Sequence, residues 1–387
     1  MPSPTPHDTP APRAGVRVRV AGLTDVGLTR DHNEDAFAWA DLSTGTQHRD
    51  AAAHALDVGA RGMVFVVADG MGGAAAGELA SAMAVEAVLD TFAQQWTPSF
   101  GQIPQEFAET LRDAADTANH RIYAFAGAHP EYAGMGTTAT IAGLLGDTLY
   151  AAQVGDSRAY VVRHGEARMI TKDQSLMQKL IEAGELTEEE AEVNDRRNII
   201  LQALGPDATV RADITTQRIQ RGDVLVLCSD GLSVHLRAPD IARIVAAHDD
   251  PAATCAALIA AANAGGGHDN IAAVVVRFEG DALPVDATES VGYHAFALPD
   301  DAALTLDRFK GRMRSGAVPA VKRPPTTPID GVPAAVRPPT PAAPVAAVRG
   351  DSADDAGAPR DATAAYVWVA LFALVVAVAW AVWRFVL

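Results

Sequence analysis

Residues 64–73 read VFVVADGMGG, an apolar run that ends on Asp69 and is followed by three glycines within four positions. A continuous run of Val and Phe is typical of a strand that is buried on both faces. The same arrangement recurs at residues 224–231, VLVLCSDG, where a second apolar run ends on Asp230. A charge at the end of a buried strand costs free energy unless a partner neutralises it. The two stretches therefore predict a site at one end of a sheet.

Three more aspartates end or interrupt predicted strands: Asp35 in TDVGLTRDHNEDAF, Asp156 in VGDSRAY and Asp269 in GHDNI. Carboxylates that converge at one sheet end repel each other unless cations lie between them, and all-oxygen clusters favour Mg²⁺ or Mn²⁺. Two such ions can lower the pKa of a shared water for attack on a phosphoryl group. Gly70 would let its backbone carbonyl approach a metal. We therefore expect a paired-metal site.

The amino-acid composition argues against several classes of function. The chain has 387 residues, 49% of them apolar, and a formal net charge of -17. The acidic excess argues against nucleic acid as a partner, because phosphate backbones call for clustered Lys and Arg. The two cysteines, Cys228 and Cys255, have the spacing of neither a disulfide framework nor a zinc site. They favour a reducing compartment.

Periodicity predicts strands and helices only between residues 15 and 278. Strands are predicted at 17–23, 63–68, 137–145, 148–154, 158–163, 223–228 and 271–278. Helices are predicted at 77–95, 103–129, 175–183 and 239–264, and Thr187 with Glu190 forms a capping box. Hairpin-spaced strands followed by long helices indicate an α+β fold with antiparallel sheets and helices packed outside. A disordered Pro-rich tail is expected at residues 1–14 and a Pro/Ala-rich linker at 279–361.

The last segment, residues 362–384, contains an uncharged run from Ala362 to Trp383 with aromatic residues near both ends. As a helix this run would reach about 33 Å, enough to cross a hydrocarbon core of about 30 Å. A buried core helix is the alternative, but such a helix rarely follows a long Pro-rich spacer. We therefore expect a single-pass anchor in the cell membrane, with the domain at 15–278 in the cytoplasm.

The ordered motifs of this domain resemble the metal-dependent serine/threonine protein phosphatases of type 2C, in their bacterial form. The resemblance rests on TDVGLTRDHNED, ADGMGG, GMGTTAT, VGDSRAY, RRNIILQALG, CSDGL and DNIAAVVV, in the order of the family. It implies a sandwich of two antiparallel sheets flanked by helices, with a mobile flap at about residues 171–205. It also implies that a metal-bridging hydroxide removes phosphate from phosphoserine and phosphothreonine, with Mn²⁺ or Mg²⁺ as cofactor.

The resemblance also implies roles for individual residues. Asp69 would bridge two metals, and the Gly70 carbonyl would be a further ligand. The other metal ligands would be Asp35, Asp230 and Asp269, and Asp156 would join Asp230 at a third, weaker metal.

Two outer residues, Glu34 and Asn270, would support the metal ligands from a second layer. Arg30 would bind the substrate phosphate, because its planar fork suits two phosphoryl oxygens. The implied partners are phosphoproteins, including serine/threonine kinases that the enzyme would oppose at the membrane. Two departures from the bacterial pattern, Ala74 and Gln174, replace histidines and leave the leaving-group acid unassigned.

The sequence is also compatible with other functions for this domain. The domain could be a non-catalytic relative that binds a phosphoprotein, or a phosphatase of an anti-sigma-type regulator. A cysteine phosphatase is disfavoured, since Val234 stands where the arginine of its phosphate loop would follow Cys228. Ser157 and Ser229 lack the glycine framing of a nucleophile elbow. His268, beside Asp269, is more simply an exposed histidine than a ligand.

Overall fold

The computed structural model describes residues 15–97, 104–187, 190–191, 194, 196, 199–286 and 289–298. All of them belong to one compact unit. The strands are β1 Arg17–Asp25, β2 Asp35–Asp41, β3 Thr46–His48, β4 His54–Asp57, β5 Met63–Met71, β6 Gly136–Thr137, β7 Ala139–Leu145, β8 Thr148–Val154, β9 Arg158–Arg163, β10 Glu166–Met169, β11 Asp213–Arg218, β12 Val224–Cys228 and β13 Ile271–Glu279. The helices are α1 Ala74–Gln95, α2 Pro104–Ala128, α3 Leu176–Glu182, α4 Asp230–Ser233, α5 Ala238–Ala247 and α6 Pro251–Ala264, with a 3₁₀ turn at Pro130–Tyr132.

The strands form two sheets. The first has the order β10-β9-β12-β13-β1-β4, and the second has the order β11-β8-β7-β5-β2-β3, with β6 paired to β5. Every strand pairing in the described residues is antiparallel. Helices α1 and α2 contact the second sheet, and α5 and α6 contact the first. The predicted α+β sandwich of two antiparallel sheets flanked by helices is confirmed.

Three apolar cores lie between the four layers, which are the two sheets and the helix pairs on their outer faces. Strand β5 contributes to two of these cores, which explains its continuously apolar sequence. Phe65 and Val67 point into the core between the two sheets. Val64 and Val66, the alternate residues, pack in the core beneath α1 and α2. The third core lies between the first sheet and helices α5 and α6. Since successive side chains of a strand point to opposite faces, a strand between two cores needs apolar residues at every position.

The single helix predicted at 239–264 is wrong, because the structure contains two helices there. Helix α5 ends at Ala247, and α6 begins at Pro251 after the capping residue Asp250, whose carboxylate accepts a hydrogen bond of 2.9 Å from Ala253 N. Proline has no N–H to donate and fits the first turn of a helix, where that N–H would have no partner. Pro251 therefore starts a helix at this position.

The packed domain also continues beyond the predicted boundary at residue 278. Leu283 is buried in the core between the sheets. Further on, Phe296 N donates to Ile214 O at 2.8 Å, and the Phe296 ring meets Tyr150 edge-on at 5.4 Å. The described residues 279–286 and 289–298 therefore belong to the domain, and the linker predicted at 279–361 begins too early.

Other predictions fall outside the described residues. These are the tail at 1–14, the linker beyond residue 298 and the membrane segment at 362–384. Within the described part of the chain, no helix combines the length and the apolar composition that a membrane crossing requires.

Candidate metal centre

The five predicted aspartates meet at one end of the sandwich. Asp35, the first residue of β2, lies directly opposite Asp69 near the end of β5. The remaining three lie at the adjoining end of the first sheet or in the β8–β9 turn, and electrostatic coupling links them to the first two: Asp156, Asp230 and Asp269. The structure therefore brings together carboxylates that are up to 234 positions apart, from Asp35 to Asp269.

The centre is buried, and this changes its protonation. The carboxyl groups of Asp69 and Asp230 lie close enough to each other to interact electrostatically. Burial raises the pKa of both groups, and neighbouring carboxylates add to the effect. Burial also raises the pKa of Asp35 to about 8 and that of Asp156 to about 7. Without a cation, Asp35 therefore keeps its proton at pH 7, and Asp156 releases its proton only near pH 7.

Two carboxylate oxygens of the centre lack partners. Asp35 Oδ1 and Asp156 Oδ1 are buried and accept no hydrogen bond from the described residues. A buried acceptor without a partner costs about 1–3 kcal/mol. A divalent cation coordinated by these oxygens would remove that cost, and hard oxygen ligands are those that Mg²⁺ and Mn²⁺ prefer. The donor set therefore fits such a cation.

The GMGTTAT motif holds the backbone of Asp69. Asp69 N donates to Thr138 Oγ1 at 3.0 Å, and Asp69 O accepts from Thr138 N at 2.9 Å and from Thr137 Oγ1 at 2.8 Å. Thr138 Oγ1 is also 2.8 Å from Ser157 Oγ, next to Asp156. The motif thereby links the strand end at Asp69 to the turn that carries Asp156, a role that the sequence pattern did not predict.

Gly70 is required by close backbone packing. A Cβ at this position would overlap the carbonyl oxygen of Gly77 and would lie 2.6 Å from that of Glu34. Gly70 N also donates to Glu34 O at 3.1 Å. The Glu34 carboxylate lies against Gly77 near the start of α1, and burial raises its pKa. Glu34 is therefore at the edge of the centre.

Asn270 and Ser229 orient the groups around them. Asn270 Oδ1 accepts from Glu34 N at 2.8 Å, and its Nδ2 donates to the carbonyls of Val26 and His32 at 2.9 and 2.8 Å. Asn270 thereby holds the TDVGLTRDHNED loop in place. Ser229 Oγ donates to Asp35 Oδ2 at 2.6 Å. Sequence reasoning missed Ser229, although its position directly before Asp230 in CSDGL was the available signal.

Arg30 lies at the mouth of the centre. Its Nη2 donates to Asp269 Oδ2 at 2.7 Å, and half of its side chain, 51%, is exposed. The guanidinium therefore borders both the buried carboxylates and open solvent, at the position from which it could reach an incoming anion.

The start of the predicted flap is tied to the centre. Gln174 N donates to Gly155 O at 2.8 Å, and its side-chain oxygen accepts from Gly155 N at 3.0 Å. Asp173 pairs with Arg158 at 2.6 Å. The predicted capping box of Thr187 and Glu190 is confirmed by reciprocal bonds of 2.9 and 3.2 Å.

Two residues that sequence analysis set aside stay outside the centre. The His268 ring packs against that of His235, with centroids 5.4 Å apart. Cys228 is buried, and burial raises the pKa of its thiol to about 12. Since only the thiolate is a nucleophile, this environment agrees with the exclusion of cysteine-based chemistry.

Two antiparallel sheets packed between helices, with buried carboxylates gathered at one end, indicate the class of metal-dependent phosphatases. Sequence comparison makes the assignment specific, since residues 40–264 match the family described as "Protein phosphatase 2C". The chain is 33% identical to the serine/threonine phosphatase stp of Listeria welshimeri over 256 residues, 66% of this chain and 93% of that protein. The chain belongs to the protein phosphatase 2C family, and the predicted resemblance is confirmed.

Solved structures agree with this assignment. The serine/threonine phosphatase of S. agalactiae has a TM-score of 0.58 and 33% identity, covering 67% of this chain and 99% of that one. The catalytic domain of the serine threonine protein phosphatase PstP, solved in complex with two manganese ions, has a TM-score of 0.55 and 32% identity, covering 68% of this chain and 99% of that one.

Proposed function

We propose that the protein removes phosphate from phosphoserine and phosphothreonine in other proteins, with Mn²⁺ or Mg²⁺ as cofactor. The observation that carries the proposal is the buried carboxylate centre with two unpartnered oxygens, on Asp35 and Asp156. A module that only binds phosphoproteins has no need for such a cluster. Family membership and the two manganese ions in the structure of PstP support the same function.

The residues that would hold two cations are those at the strand ends: Asp35, Asp69, Gly70 through its carbonyl, Asp230 and Asp269. Asp156 together with Asp230 would hold a third, weaker cation. When bound, the cations supply a water of lowered pKa as nucleophile and neutralise charge on the phosphoryl group.

The other residues of the site bind and orient. Arg30, at the solvent-exposed edge of the centre, binds the oxygens of the substrate phosphate. Ser229 fixes one carboxylate oxygen of Asp35 and leaves the other free for a cation. Asn270 holds the loop that carries Arg30 and Glu34.

Turnover of a phosphothreonine peptide tests the proposed function directly. We expect the full chain and a fragment of residues 15–298 to release phosphate in the presence of Mn²⁺, and chelation to stop the release. Peptide binding without release would instead favour the non-catalytic alternative. The fragment extends to residue 298 because Leu283 and Phe296 pack against the domain.

Arg30→Ala is expected to raise the KM for a phosphopeptide about 10-fold or more and to lower kcat less, because it removes a group that binds the phosphate. Steady-state kinetics with calorimetric Mn²⁺ titration would measure both effects. Arg168→Ala is the matched control, since Arg168 is exposed and pairs with Glu166 on the β10 hairpin. An unchanged KM, or loss of Mn²⁺ binding, would contradict the role of Arg30.

We also propose that residues 362–384 anchor the protein in the cell membrane, where the domain opposes serine/threonine kinases. The proposal rests on the uncharged run from Ala362 to Trp383 and on the Pro-rich residues before it. About 35 residues of extended chain, at about 3 Å each, can hold the domain well clear of a bilayer.

Truncation tests the anchor. The full chain should pellet with membranes and resist an alkaline carbonate wash, whereas a chain that ends at Gly350 should stay in the supernatant. Both should have the same kcat, because the centre lies between residues 30 and 270. Pelleting of the shortened chain would show that residues 362–384 are not the anchor.

A further inference from the structure

Three potential metal ligands form a second cluster away from the carboxylate centre. His48 ends β3, His54 begins β4, and Asp50 lies in the short loop between them. One ligand atom from each side chain lies within 4.8 Å of the other two. Strand β3 is the last strand of the second sheet, and β4 is the last strand of the first. The cluster therefore lies where the chain crosses from the edge of one sheet to the edge of the other.

The Asp50 carboxylate faces both imidazole rings. Asp50 Oδ1 lies 3.0 Å from His54 Nε2, and Asp50 Oδ2 lies 3.8 Å from His48 Nδ1. The ring centroids of the two histidines are 4.0 Å apart. Ala52 N donates to Asp50 Oδ1 at 2.9 Å and holds the carboxylate in the loop. Ligand atoms of a tetrahedral Zn²⁺ site are about 3.3 Å apart, given Zn–N distances of about 2.0–2.1 Å. Small side-chain rotations would bring the three groups to that spacing.

Trp39 forms an apolar wall behind the cluster. Its ring stacks on His48 at 5.5 Å and meets His54 edge-on at 5.8 Å. Trp39 is fully buried, so both imidazoles rest on a rigid surface. His48 Nε2 is buried and has no hydrogen-bond partner among the described residues. Burial and the neighbouring His54 lower the pKa of His48, which favours the neutral ring that binds metals.

We propose that His48, Asp50 and His54 form a site for a transition-metal ion of the Zn²⁺ class. Two imidazoles and one carboxylate suit Zn²⁺, whereas the all-oxygen centre suits Mg²⁺ and Mn²⁺. Three protein ligands leave a fourth position for water or an external ligand. The bound ion fastens the edge strands of the two sheets to each other.

The site is separate from the carboxylate centre. His48 pairs with Trp39, which is four residues along β2 from Asp35. Four residues of a strand span about 13 Å, so the two sites are too far apart to share a ligand. A metal at this edge would therefore stabilise the domain without taking part in phosphate release.

Zn²⁺ titration in millimolar Mg²⁺ tests the proposal, because Mg²⁺ occupies the carboxylate centre. Competition with a chromophoric chelator should show one tight Zn²⁺ equivalent per chain, and Zn²⁺ should raise the Tm. His54→Ala should weaken this binding by about 100-fold or more and abolish the rise in Tm. His120→Ala is the matched control, since His120 is exposed on α2 and its ring contacts the Asp116 carbonyl.

A second variant controls for the possibility that His54→Ala loses Zn²⁺ binding through misfolding. His48→Gln should also lose the tight equivalent, while both variants keep the Mn²⁺-dependent phosphatase activity of the parent. Co²⁺ in place of Zn²⁺ should give the visible absorption of a tetrahedral site in the parent and not in the variants. Zn²⁺ affinity that is the same within twofold in parent, His54→Ala and His48→Gln would overturn the proposal, and so would the absence of a tight equivalent in the parent.

Discussion

Asp69→Asn is expected to lower kcat/KM for a phosphopeptide by about 10³-fold or more, the largest loss of any single substitution in the centre. Asp69 lies opposite Asp35, and the carboxylates of Asp35, Asp230 and Asp156 all act electrostatically on it, so its carboxylate lies among the others of the cluster. An amide of the same shape removes the negative charge that would lie between two cations, and both cation sites weaken together. Calorimetric Mn²⁺ titration beside kinetics would measure both losses.

The fold should survive this substitution. The backbone bonds between Asp69 and Thr138 do not involve the carboxylate. Asp41→Asn is a matched control, because Asp41 is a buried strand-end aspartate at the opposite end of β2, where its carboxylate accepts from Ser43 N at 2.8 Å. Asp156→Ala should slow turnover without loss of the first two cations. Near-normal activity of Asp69→Asn in Mn²⁺ would refute the two-metal assignment.

The metal-free protein is expected to lose stability as pH rises from about 4 to about 8. In this window the folded carboxyl groups keep protons that the unfolded chain has released, because burial raises the pKa of Asp35 to about 8 and that of Asp156 to about 7. Since the folded state binds more protons, the free energy of unfolding falls with pH. One pH unit in a pKa is worth about 1.4 kcal/mol, so Asp35 alone accounts for a loss on the order of 5 kcal/mol.

Cations should reverse this loss. Mn²⁺ takes the place of the protons, so the stabilisation by Mn²⁺ should be small near pH 5 and large near pH 8. Urea unfolding of the fragment 15–298, with chelator or with Mn²⁺, would measure both curves. Asp69→Asn in chelator should show a shallower fall with pH than the parent. Stability of the metal-free parent that rises from pH 5 to pH 8 would contradict the expectation.

Much of the fold and of the carboxylate centre can be predicted from short stretches of the sequence. The apolar runs at 64–68 and 224–228 predicted strands between two cores, because burial on both faces requires apolar residues at successive positions. The aspartates that follow such runs marked the centre, because a carboxylate there needs a neutralising partner. Gly70 was identified from its position after Asp69, and the structure shows that a Cβ at this position would overlap Gly77.

Short strands and edges were harder to predict. Strands β3 and β4 have three and four residues, too few to show an alternating pattern, and they lie at sheet edges with little burial. Strand β2 reads DAFAWAD, where Phe37 and Trp39 alternate with alanine; this strand pattern was present in the sequence but was not predicted as a strand. The break between α5 and α6 depends on the cap at Asp250, which competes with an otherwise helical pattern.

The sequence by itself determined the family, the two-sheet class and the aspartates of the centre, because each depends on residue types at fixed local spacing. Only the tertiary structure decided that Ser229 holds Asp35, that Arg30 pairs with Asp269, and that Phe296 packs against the domain. It also joined His48, Asp50 and His54 across the edges of two sheets. These contacts arise from the register and packing of strands far apart in sequence, which residue spacing alone does not encode.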